Sequence, residues 1–93
     1  MIINEKLNFI KGKFLSEDAK EVLWNVFTAK INYHQMKNFS SVERFGKEDE
    51  TALERISALK KELVSLDRIL AAAEAQNKKL IIGSEINISL SDD

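Results

Sequence analysis

Residues 49–77, DETALERISALKKELVSLDRILAAAEAQN, decide the architecture of this chain. Within them Ala52, Ile56, Leu59, Leu63, Leu66, Leu70, Ala73 and Asn77 follow one another at intervals of 4, 3, 4, 3, 4, 3 and 4. That spacing is the seam of a helix packed lengthwise on another helix. Beside the seam stand Thr51, Ser57, Ala58, Val64, Ser65, Ala71 and Ala72, small residues for the most part, where a parallel zipper would carry the Glu and Lys that set its register. Small flanks admit a close neighbour, so the pattern points to an antiparallel hairpin or bundle. Glu54, Arg55, Lys60, Lys61, Glu62, Asp67, Arg68 and Glu74 fall away from the seam and form a solvated face. Ile69 lies opposite the seam and is expected to be exposed.

The partner of this helix is found upstream. Residues 16–39 contain no breaker, and Ser16 followed by Glu17 and Asp18 has the composition of an N-cap and an acidic first turn. At about 100° per residue, the apolar positions spread over more than half of the circumference. Ala19, Val22, Leu23, Val26 and Tyr33 lie toward one side, with Trp24, Phe27 and Ile31 on the other. One neighbouring helix cannot bury such an arc, which therefore calls for a second partner, either a sheet or another subunit. Between the helices, residues 40–48, SSVERFGKE, form the expected linker, with Asp49 or a neighbour capping the second helix and Phe45 closing the end of the seam.

Both ends of the chain carry strand signals. Over 6–14 the apolar residues alternate in part, and Gly12 marks a bend or bulge. Over 80–90, Ile86, Ile88 and Leu90 alternate with Asn87 and Ser89. Leu80 and Ile82 share their parity across Gly83, which favours one strand over a hairpin turn at Gly83-Ser84. The resulting expectation is an α+β, mainly α, single domain of order β-α-α-β: strand 6–14, helix 16–39, linker 40–48, helix 49–77 and strand 80–90.

Composition narrows the functional classes. The 93 residues carry a net charge of −1 with both signs interspersed, which argues against a nucleic-acid or anionic-membrane partner. Without cysteine there is no disulfide, thiolate nucleophile or cysteine metal site, a usage that fits the cytoplasm. Charges interrupt the first fifteen residues, so neither a signal peptide nor a span of about 20 apolar residues is expected there. The acidic run Glu48, Asp49, Glu50 and Glu54 lacks the alternating ligands and glycine of a calcium loop. No phosphate-cradling glycine loop or metal-ligand spacing appears, so the reading assigns no cofactor, metal or catalytic residue.

What remains is an interaction or structural protein acting through self-association of the hairpin, most simply as a homodimer. Its expected oligomer interface comprises Trp24, Phe27 and Ile31 with Ile86, Ile88 and Leu90, because two strands alone leave edges open to pairing. Core packing is the plain role for Trp24, Phe27 and Ile31. A different protein partner would meet Arg44, Phe45 and Lys47 in the linker, a ring between two positive charges; the plain role there is a connector. The alternative class is a ligand-binding or enzymatic module built on His34, the only histidine, with Tyr33 and the linker. A partly packed helix residue is the simpler account of His34.

Overall fold

A computed structural model describes residues 3–92 as two long helices flanked by two strands. The order is β1 (Asn4–Phe14), α1 (Ser16–Phe45), α2 (Glu50–Ala75) and β2 (Leu80–Ser89). The β-α-α-β expectation is met, and the strands pair with each other within the chain, antiparallel, as a two-stranded ribbon. β2 runs unbroken through Gly83, as the parity of its isoleucines required.

The hairpin forms where the seam predicts. Ala52 and Leu70 are buried, Ile56, Leu59, Leu63 and Leu66 between them and Ala73 beyond them are half-buried, and Ile69 and Val64 are exposed. Trp24 reaches across to α2, where its Nε1 donates to Asp67 Oδ1 at 2.9 Å. Asp49 caps α2 as expected, its Oδ1 accepting from the Ala52 amide at 3.0 Å.

Several boundaries differ from the sequence reading, each for a local reason. α1 continues six residues past Phe39, through Ser40 and Ser41, so the connection shrinks from residues 40–48 to the four residues 46–49. Ser41 does not break the helix because its hydroxyl is used in the turn, donating to the Lys47 carbonyl at 2.9 Å. Asn38 supports the same turn, its Oδ1 accepting from the Asp49 amide at 2.7 Å. Gly46 stops α1 by turning left-handed, with φ of 69°, and its amide returns to the Val42 carbonyl. Phe45 leaves the seam and is 70% exposed. At the other end of α1, Leu15 rather than Ser16 is the cap residue and makes no side-chain cap bond.

α2 ends at Ala75, two residues early, in a paired-bond motif. The Lys78 amide donates to the Ala73 carbonyl and the Asn77 amide to the Glu74 carbonyl, with Asn77 left-handed at φ 52°. In β1 the irregularity is not at Gly12. The register slips between Asn8 and Ile10, placing the extra residue at Phe9. Gly12 stays in register opposite Ile82, and the Phe14 ring lies 3.7 Å from where a β-carbon would stand.

The resulting molecule is thin. Its principal extents are 50 × 38 × 15 Å. α1 at about 1.5 Å per residue and β1 at about 3.3 Å per residue have the lengths of the two larger dimensions. The third is little more than one helix with its side chains, about 10–12 Å. The radius of gyration is 16.9 Å, against about 12 Å for a compact chain of this length. Only small or aliphatic residues are buried among those described: Ile10, Ala19, Ile31, Ala52 and Leu70.

Candidate interaction surface

Alternation along the ribbon gives it one apolar face. Phe14, Gly12 and Ile10 on β1 stand opposite Leu80, Ile82 and Ser84 on β2, and these six are the half-buried or buried positions of the ribbon. β1 lies in contact with α1, and Ala19 near the start of α1 is fully buried. Beyond the bulge the same face of β2 continues with Ile86 and Ile88, paired with Leu7 and Glu5. Here the burial ends. Leu7, Phe9, Ile86, Ile88 and Leu90 are all exposed.

The helix facing this strip is also uncovered. On the side of α1 opposite Trp24, Val22, Val26, Ala29, Tyr33, Met36 and Ser40 follow at intervals of 4, 3, 4, 3 and 4, a second lengthwise seam on the same helix. α2 occupies the Trp24 side. Along the second seam Tyr33 is 59% and Met36 66% exposed. Where helix and ribbon diverge they form an open groove of about 610 Å³, lined by Phe9, Val26, Ala29 and Ile86 with Asn25, Lys30, Ser84 and Glu85 at its rim.

The expected interface residues thus separate into two groups. Ile31 is buried and Trp24 and Phe27 are half-buried on the side of α1 that meets α2, while Ile86, Ile88 and Leu90 lie exposed on the ribbon. The helical residues that the ribbon leaves open, Ala29, Tyr33 and Met36, were legible as a heptad spacing. The apolar arc also carries Trp24, Phe27 and Ile31 on the other side, where α2 packs.

Of the remaining named positions, Tyr33 and His34 meet and the linker residues stand apart from them. Arg44, Phe45 and Lys47 sit at the hairpin tip, with Arg44 in the last turn of α1 and the Lys47 carbonyl held by Ser41. His34 is half-buried in a shallow depression with Lys30, Arg55, Ala58, Leu59 and Glu62. Gly46 lies twelve positions on, about 18 Å along the helix. Tyr33 meets His34, its ring edge-on to the imidazole with centroids 5.1 Å apart, and Lys37 Nζ lies 5.8 Å from the tyrosine ring centroid. Among the described residues no group of three or more His, Cys, Asp or Glu could hold a metal ion, and no helix is long and apolar enough to cross a membrane. No protein-family model, curated protein or solved structure matches the chain.

Proposed function

We propose that this chain is a self-associating interaction or structural protein whose working form contains at least two copies. The observation that carries this reading is its surface. The chain exposes 7751 Å², whereas a compact monomer of 10.6 kDa exposes about 5,500 Å². The excess of roughly 2,300 Å² per chain exceeds the roughly 800 Å² per partner of a standard interface and matches the size of obligate ones. A thin body with a divided core gains stability by supplying its missing layer from another copy.

Light scattering coupled to size exclusion tests the reading. A mass at least twice 10.6 kDa at micromolar concentration is expected. A single-chain mass up to submillimolar concentration overturns it.

A further inference from the structure

Resting on that self-association reading, we infer that the groove between α1 and the ribbon is a two-fold interface in which each chain's outer α1 seam receives the exposed ribbon face of a second copy. Each chain owns both halves of the contact. Past the groove, the seam from Ala29 to Ser40 runs for about 16 Å of helix. Past the bulge, the apolar face from Phe9 and Ile86 to Ile3 and Leu90 runs for about 15–20 Å of ribbon. Ala29, Tyr33 and Met36 on the first stretch and Leu7, Phe9, Ile86, Ile88 and Leu90 on the second are exposed, and the groove opens at Val26 and Ala29.

Two uncovered strips of matching length on one chain are what an isologous contact requires: strip A of one copy covers strip B of the other, and the two-fold repeats the contact. The chemistry of the strips agrees. Met36, Tyr33 and Val26 on the helix offer adaptable and aromatic surface to Leu7, Phe9, Ile86 and Ile88 on the ribbon, the composition of an interface centre. Lys30 and Lys37 flank the helical seam, and Glu5 stands within the ribbon face opposite Ile88, while Glu85 already shares the groove of its own chain with Lys30. Crossing the copies brings unlike charges together. The excess surface of the chain also favours a second copy as occupant, since a two-fold contact covers both strips of each copy at once.

The absence of cysteine makes a direct test available. Chains carrying Met36→Cys and differently tagged chains carrying Ile88→Cys are unfolded, refolded together and oxidised. The inference expects disulfide-linked dimers containing both tags, with little linkage when either variant is oxidised alone. Ile88→Lys, and separately Met36→Glu, should reduce the mass to that of one chain while leaving helical circular dichroism in place; the second variant serves if the first fails to fold. A doubled mass with no mixed cross-link, unchanged by either charge, overturns this interface and leaves self-association standing. A single-chain mass for the unaltered protein overturns both.

Discussion

Trp24 Nε1 and Asp67 Oδ1 lie 2.9 Å apart across the helical hairpin, joining residues 43 positions apart in the chain. The bond fixes which side of α1 belongs to α2, and Lys20 Nζ stands 5.7 Å from the indole centroid on the same helix. Its solvent exposure limits its strength. A double-mutant cycle on Trp24→Phe and Asp67→Ala, read by urea unfolding, should give a coupling of about 0.5–1.5 kcal/mol. No coupling would mean that the indole and carboxylate do not hold the helices in register.

Core truncations should follow burial along the seam rather than hydrophobicity. Leu70→Ala is expected to destabilise by about 2–4 kcal/mol, and the half-buried Leu63 and Leu66 by less. Ile69→Ala, at an exposed site next in sequence to Leu70, should cost under about 1 kcal/mol. Denaturant titrations of the four variants at one protein concentration check the order, and equal losses at Leu70 and Ile69 would contradict the packing described.

Glycines 46 and 83 should respond in opposite directions. At Gly46 a β-carbon meets nothing within 4 Å, yet φ is 69°, so Gly46→Ala should cost about 1 kcal/mol through backbone conformation alone. Gly83 sits in a strand with open space and no left-handed φ. Gly83→Ala should therefore stabilise by about 0.4–1 kcal/mol by restricting the unfolded chain. Thermal unfolding midpoints, lower for the first and higher for the second, are the measurement.

Asn77 holds a left-handed conformation that glycine adopts more readily. Asn77→Gly should keep the two bonds that end α2 and leave stability unchanged or raised by up to about 1 kcal/mol, whereas Asn77→Val should lower it by more than about 1 kcal/mol. Parallel melts of the two variants separate the conformational effect from loss of the side chain.

The hairpin tip offers a contrast between backbone and side chain. Ser41 bonds the Lys47 carbonyl rather than its ammonium group. Arg44→Ala with Lys47→Ala should leave the melting temperature within a few degrees, while Asn38→Ala, which removes the acceptor for the Asp49 amide, should cost about 1 kcal/mol. A large loss from the double variant would show that the two charges belong to the fold.

The hairpin was readable from 49–77 because a 4-3 spacing with small flanks has one physical solution, and the strand at 80–90 because its isoleucines keep one parity through Gly83. The turn was misjudged at Ser40 and Ser41. Serine reads as a helix breaker only if its hydroxyl competes for the local backbone, and here Ser41 bonds a residue beyond the helix end. A bend or bulge is expected at Gly12; its φ is 148°, but the register slip falls at Phe9, because a bulge depends on cross-strand register, which one strand's sequence does not contain. The breadth of α1's apolar arc calls for a second neighbour beside α2; β1 touches α1, and Tyr33 and Met36 stay exposed. Assigning the sides required Asp67, a residue on another helix.

The pairing of Asn4 with Ser89 has a consequence for biosynthesis. The ribbon joins segments on either side of the whole helical hairpin, so β1 has no mate until β2 has been made. The hairpin contacts are available as soon as α2 has been made, whereas ribbon formation must wait until β2 leaves the ribosome. During that interval an apolar strand with both edges open travels on a nascent chain, often alongside others on the same message. Its charged residues Lys6, Lys11 and Lys13 then act as gatekeepers, discouraging the β1 segments of neighbouring nascent chains from joining edge to edge before each has met its own β2.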